Sequence, residues 1–259
     1  GAHRRDPPRR RHDAQRRDAE RMLKNTPYEK LPLLSAAAPF KMGGRMGPGH
    51  YTDLAPGPIA LRDVGNLYVY PNSAVIVKVT GAELREWLER TTIVFNRIDP
   101  TSREPQPLMS GTPSYDFDVI DGLTYTIDVT QPARYERDSP AIVDPQARRI
   151  VDLKYKDRPV ADHDVFAVAT NTYRANGGGR FPILDGSQVI FGPIDLVLTI
   201  LADDLRAQGM LDPKPRPIWR FAPLAGEPIV TIDIGSGGAE VAAADARLRK
   251  IEALATGYV

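Results

Sequence analysis

Short apolar runs, cut by proline, glycine and aspartate, alternate along this chain with a few stretches of helical period. Val165-Phe166-Ala167-Val168-Ala169 is continuously apolar and predicts a buried strand. Leu31 to Ala38 predicts a second short buried strand, built mostly of small residues. Asn66 to Asn72 and Ala74 to Val79 predict two strand segments around a bend at Pro71-Asn72. Thr80-Gly81-Ala82-Glu83 is a capping box, in which the threonine hydroxyl takes the Glu83 amide and the glutamate reaches back. Leu84, Trp87, Leu88, Thr91 and Phe95 then share one helical face, so Trp87 belongs to the core and the helix ends near Phe95. Tyr115 to Ile120 alternates ring and acid and predicts a strand with Tyr115 and Phe117 on one face. Asp121-Gly122 is a turn signal, and Leu123 to Val129 completes a hairpin. A further hairpin runs through Val151 to Tyr155 and turns at Asp157. Pro193-Ile194-Asp195 opens a helix carrying Leu196, Val197, Ile200, Leu201 and Leu205, closed by Gly209. Ile229 to Ile234 predicts a last strand and Glu240 to Leu254 an Ala-rich amphipathic helix.

The mixture of strands and helices, without an internal repeat or a low-complexity linker, predicts an α+β fold of mixed sheets with packed helices. Residues 22–259 are expected to form a single domain. Residues 1–21 are dominated by arginine, hold almost no aliphatic side chain, and are expected to be a basic, flexible arm, although a helical pattern is possible from Asp13 to Lys24. Acidic residues are interspersed in that arm and the formal net charge of the chain is +1, which argues against a nucleic-acid partner. No apolar run approaches the length of a membrane span, and no secretory signal is visible. The chain has no cysteine, which excludes disulfides, thiolate metal sites and cysteine nucleophiles.

Candidate chemistry concentrates in Asn171-Thr172-Tyr173-Arg174-Ala175-Asn176-Gly177-Gly178-Gly179-Arg180, directly after the Val165 strand. Three consecutive glycines let the backbone take positive φ and approach a ligand closely. An aromatic ring, amides and two guanidinium groups surround that point, a set suited to a flat polar ligand such as a nucleoside. The same stretch also reads as a glycine-rich turn between two core elements. A second glycine loop, Pro39 to Arg45, carries Lys41 and Arg45, which either hold a phosphate or are solvated loop charges. Three other motifs do not survive inspection. Gly235-Ser236-Gly237-Gly238 lacks the third glycine of a dinucleotide fingerprint, because that position is Glu240. Asp162-His163-Asp164 has no further histidine at ligand spacing, and neither Ser35 nor Ser110 lies in a nucleophile-elbow context. The sequence therefore offers no catalytic residue and no metal ligand in this chain.

Several ordered motifs carry a resemblance. Leu33-Leu34-Ser35-Ala36-Ala37-Ala38-Pro39-Phe40-Lys41, with Gly43-Gly44-Arg45, is followed by Asn66-Leu67-Tyr68 with Tyr70-Pro71-Asn72 and by Val79-Thr80-Gly81-Ala82-Glu83-Leu84 with Trp87-Leu88. Phe117 to Leu123 and Asn171 to Gly179 complete the order. Over roughly residues 20 to 225 the chain resembles the C-terminal domain of bacterial 2′,3′-cyclic-nucleotide 2′-phosphodiesterase/3′-nucleotidases, within the 5′-nucleotidase superfamily. The Gly-Gly-Arg form of the loop is similar to the cyclic-phosphodiesterase branch. The resemblance implies a nucleotide-recognition domain, binding 2′,3′-cyclic and 3′-nucleotides, that serves an N-terminal metallophosphoesterase domain holding two divalent metal ions. It implies a base held between Tyr173 and a ring on the strand of Tyr115 and Phe117, with Lys41, Arg45, Asn72, Asn176, Gly177, Gly178 and Gly179 lining the substrate site. An aspartate that relatives place after the glycine pair is Gly179 here. The resemblance also implies a periplasmic or cell-surface parent, and a fragment that is inactive alone. The rival expectation is a structural or interaction module whose rings are core and whose glycine loop is only a turn.

Overall fold

A computed structural model describes residues 7–41, 50–51, 57–209 and 216–233, together with 243–244 and 248. In chain order its elements are α1 (Pro7–Leu23), β1 (Leu33–Ala37), α2 (Leu61–Leu67), β2 (Ala74–Thr80), α3 (Gly81–Thr91), β3 (Gln106–Pro107), β4 (Val119–Asp121), β5 (Leu123–Ile127), β6 (Ile150–Tyr155), β7 (Arg158–Pro159), β8 (Val165–Asn171), the single turn α4 (Thr172–Ala175), β9 (Val189–Phe191), α5 (Val197–Gln208), β10 (Trp219–Phe221) and β11 (Val230–Thr231).

A five-stranded mixed sheet in the order β4-β1-β8-β2-β9 organises the fold. β1 runs parallel to β8, while β4 and β2 run against them. Both faces are covered, which explains why β2 and β8 are nearly continuous apolar runs. Val75, Val77 and Val79 enter the main core with Leu84, Trp87 and Leu88 of α3. Ile76, Ala167 and Ala169 face the other way, onto Ala19 and Leu23 of α1. A second sheet, in the order β10-β5-β6-β7, contributes Tyr125, Ile127, Ile150 and Leu153 to the main core. The Thr80–Glu83 capping box forms with both reciprocal bonds. Leu84 and Leu88 are fully buried, each worth about 1.5–3 kcal/mol by transfer from water. Gly209, at φ +67°, ends α5 as expected.

Four sequence expectations are corrected. Residues 7–23, read mostly as an arm, form α1, which buries His12, Ala14, Gln15 and Ala19 against the sheet. Before Leu23 the buried face is small or polar: Ser35 hydrogen-bonds His12 Nδ1 at 3.1 Å and donates to Gln15 Oε1 at 3.1 Å, so hydropathy does not show it. Asn66 to Asn72 pairs in no sheet. It leaves the end of α2 as an irregular segment, with Tyr68 buried and its ring 5.0 Å from Phe40, edge-on. The Tyr115 strand starts only at Val119, because Ser114–Asp116 is a 3-10 turn. Finally, β4 and β5 are not a hairpin. β4 pairs with β1 through Ser35–Asp121, whereas β5 pairs with β6 and β10. Gly122 carries the chain between the two sheets at φ +99°, where a Cβ would lie 2.7 Å from Leu34 Cδ2. Of the predicted last strand, Val230–Thr231 pairs with Gln106–Pro107. The Gly235 motif and nearly all of the Glu240 to Leu254 helix lie outside the described residues.

Candidate functional site at one edge of the sheet

The register aligns Ala37 with Val119, and Ala74 with Asn171. The C-terminal ends of β1 and β8 and the N-terminal ends of β2 and β4 therefore share one edge of the sheet. Four segments distant in sequence meet there: Phe40-Lys41 after β1, Asn72 before β2, Ser114–Asp116 before β4, and α4 with the glycine loop after β8. Ligands of open α/β sheets bind at such strand ends. The meeting is tied by hydrogen bonds. Ser114 Oγ donates to Phe40 O at 3.0 Å, and the Thr172 N–H donates to Ser73 O at 2.9 Å.

The glycine loop is set by what packs on it. Asn171 caps α4, accepting from the Arg174 N–H at 2.9 Å. The Gly178 N–H donates to Tyr173 O at 2.9 Å, and a Cβ on Gly178 would fall 2.6 Å from two carbons of the Tyr173 ring. Gly179 has φ +79°, and a Cβ there would overlap Arg174 Nη1 and Asp116 Oδ1. Backbone conformation and space both demand glycine at that position.

Arg174, one of the two guanidinium groups of this stretch, is 2% exposed. Its Nη2 donates to Tyr115 O at 2.6 Å, its Nη1 to Gly178 O, and its Nε lies 2.6 Å from Asp118 Oδ2. Asp118 also accepts from Trp87 Nε1 at 2.8 Å. The guanidinium lies 3.8 Å from the Phe181 ring centroid. One buried cation thus fixes the Tyr115 segment to the Tyr173 segment. Arg90, fully buried, holds the same loop from behind, with Nη2 donating to Gly179 O and Arg137 O at 3.2 Å and Nη1 to Glu136 O and Ser139 O. Burial lowers the Arg90 pKa, offset in part by Asp116. Asp116, beneath Gly179, is pushed up to about 6 by burial, against the opposing pull of Arg174.

Several expected site residues do gather at this edge. Tyr173 is 45% exposed, Asn176 is exposed beside it, and Tyr115 is partly exposed. Lys41 Nζ donates to Asn66 Oδ1 at 3.2 Å, and Asn72 Nδ2 donates to the Tyr68 hydroxyl at 3.2 Å. Phe117 does not belong to this group. It is 3% exposed and packs edge-on against Phe95 and Trp219, because the turn at Ser114–Asp116 breaks the alternation that would have kept it beside Tyr115. Arg45 lies outside the described residues. The sequence reading passed over Asp116, Asp118, Arg90 and the half-exposed Tyr70, whose ring lies edge-on to Phe40 at 5.2 Å. Only the proximity of the acids of Asp116-Phe117-Asp118 to a ring hinted at them. No group of three or more His, Asp or Glu side chains placed to hold a metal ion occurs among the described residues.

Comparison with known proteins now decides the family. The family model for the 5′-nucleotidase C-terminal domain matches residues 12–186. This chain belongs to that family. It is 42% identical over 215 residues to the trifunctional nucleotide phosphoesterase protein YfkN of Bacillus subtilis, covering 83% of this chain and 15% of that protein. It is 40% identical over 220 residues to a 2′,3′-cyclic-nucleotide 2′-phosphodiesterase/3′-nucleotidase of Haemophilus influenzae, covering 82% of this chain and 33% of that one. The chain thus spans a third or less of these relatives' length. A crystal structure of a putative 5′-nucleotidase from Staphylococcus aureus superposes with a TM-score of 0.56 at 21% identity, over 73% of this chain and 33% of that one. A 5′-nucleotidase precursor from Thermus thermophilus gives 0.56 at 17%, over 80% and 34%. These structures share the α+β fold of mixed sheets with packed helices. The family match begins at residue 12, within α1.

Proposed function

We propose that this domain recognises the base and ribose of 2′,3′-cyclic and 3′-nucleotides and presents them to a dimetal phosphoesterase domain elsewhere in a longer, exported parent hydrolase. The observation that carries this reading is the exposed Tyr173 ring on a loop that Arg174 ties to the Tyr115 segment. A base stacks on Tyr173, with Tyr115 as the opposing ring. Asn72, Asn176 and Lys41 supply polar groups at the rim, and the bare backbone of Gly177 to Gly179 allows close approach of the sugar. Because the clamp is already formed, little ordering is left for the ligand to impose. The two metal ions of the reaction fit no cluster among the described residues, and this chain's part is to bind and orient.

Calorimetric titration with adenosine 3′-monophosphate tests the reading. We expect saturable binding in the high-micromolar to millimolar range, about −4 to −6 kcal/mol. Tyr173→Ala is expected to lose about 1–3 kcal/mol of that while remaining folded. Absence of binding at millimolar ligand would leave an interaction module as the better description. Incubation of the purified chain with the same nucleotide and divalent metal should release no phosphate, since no cluster able to hold a water-activating metal occurs among the described residues.

A further inference from the structure

A second concavity adjoins the back of the glycine loop, between the turn that follows α3, the loop after Thr130 and the start of β6. It has a volume of about 460 Å³ and is lined by Arg97, Arg137 and Arg149 with Phe95 and Tyr135, and by two carboxylates, Glu136 and Asp138. The three arginines are held in an unusual way. Arg149 is 1% exposed, yet its guanidinium meets only neutral carbonyls: Nε donates to Gln131 O at 2.9 Å, and Nη1 to Thr92 O and Phe95 O at 3.0 and 2.8 Å. Its Nη2 has no acceptor among the described residues. Arg137 donates to Ser110 O at 2.8 Å and to Asn96 Oδ1 at 3.3 Å, and Arg97 Nε donates to Thr130 O at 2.7 Å. None of the three forms an ion pair within the described residues, whereas Arg134, Arg174 and Arg216 do.

Pinning to carbonyls fixes the direction of each guanidinium without neutralising it. Burial lowers the Arg149 pKa to about 10, so it stays charged at neutral pH. Glu89 and Asp128 act on Arg149 only from beyond ion-pair distance, and each acid nearby has a donor or cation of its own. Glu89 accepts from the Arg149 and Ile150 N–H groups at 3.1 and 3.0 Å, Asp128 from Thr130, and Glu136 from the Arg137 N–H at 3.1 Å. Asp138 lies 3.9 Å from Arg180. Three fixed, unpaired guanidinium groups around one hollow match a compact doubly charged oxyanion, which such groups bind in bidentate fashion. We propose that this cavity is a phosphate-binding site, distinct from the Tyr173 edge, for inorganic phosphate or for a phosphomonoester whose organic part lies on the Phe95 and Tyr135 walls.

Amide and arginine Nε NMR spectra of the full chain, titrated with inorganic phosphate and separately with phenyl phosphate at constant ionic strength, test this. Signals of Asn96, Arg97 and Arg137 should shift and saturate with a dissociation constant below about 10 mM. Tighter binding of phenyl phosphate assigns the site to a monoester, and equal binding to phosphate itself. The double variant Arg97→Gln/Arg137→Gln, which alters only exposed side chains, should weaken binding by at least about tenfold. Tyr173→Ala should leave it unchanged, so failure of the nucleotide reading does not affect this result. Non-saturating shifts with both anions, or unaltered binding in the double variant, would overturn the proposal.

Discussion

Asp116 is 7% exposed, and its Oδ1 packs under Gly179 without a hydrogen-bond donor. Its folded pKa, about 6, lies above the ordinary 3.8, so the folded state binds the proton more tightly than the unfolded one. The favourable contribution of this carboxyl is complete below its ordinary pKa and is lost as the pH rises through about 6. The difference corresponds to about 3 kcal/mol. Asp116→Asn should therefore gain stability relative to the parent between pH 4 and pH 7, read as a growing difference in urea midpoint; a pH-independent difference would refute the assignment. Gly179→Ala should destabilise by more than about 1 kcal/mol, through its positive φ and its overlap with Arg174 and Asp116, and should weaken nucleotide binding in the same titration. At this scale the glycine run and Tyr173 were legible in the sequence, because glycine and an exposed ring declare themselves. Arg174 was legible as a cation but not as a buried clamp, since its acceptors come from segments up to 59 positions away.

Among the elements, α3 is the one written most completely in local sequence. Its capping box and apolar face are short-range features and both appear; the α-helix itself ends at Thr91, four residues before the expected Phe95, and a 3-10 turn over Thr92–Val94 carries the chain on. Thr80→Ala removes a side-chain acceptor and should cost about 1 kcal/mol in thermal or urea unfolding, with the folded spectrum unchanged. Strand partners are another matter. Alternation in Leu123 to Ile127 specifies a strand, but pairing depends on which edge is free nearby. β4 adds to β1 and β5 adds to β6, although a single residue separates them. Likewise α1 was half legible. Its helical period could be seen from Asp13, but a buried face of alanine, histidine and glutamine carries no hydropathy signal until Ser35 is found opposite.

Across the whole molecule, three distant parts of the chain converge on Asp121, at the end of β4. It is 3% exposed and accepts from Arg216 Nη1 at 2.6 Å and Arg16 Nη1 at 3.4 Å, while Arg216 also reaches Asp13 in α1. The segment before β10, the edge of the main sheet and the N-terminal helix are thereby joined. Both arginines are about a third exposed, so solvent reduces the strength of the pair. Asp121→Asn should cost about 1–3 kcal/mol, measured as a lower urea midpoint, and should increase proteolysis within α1. A change confined to the surface, with no loss of stability, would show that the junction does not hold these parts together. The sequence by itself determined the fold class, most strands, the α3 and α5 helices, the glycine loop and the family resemblance, because these rest on local periodicity, caps and contiguous motifs. Only the tertiary structure decided which strands are neighbours, that Phe117 is core while Tyr115 stays at the edge, and that α1 closes the sheet. It also decided which arginines are paired and which stand unpaired around a hollow. Each of these depends on contacts between residues far apart in the chain, where burial and charge are fixed by partners that no local pattern names.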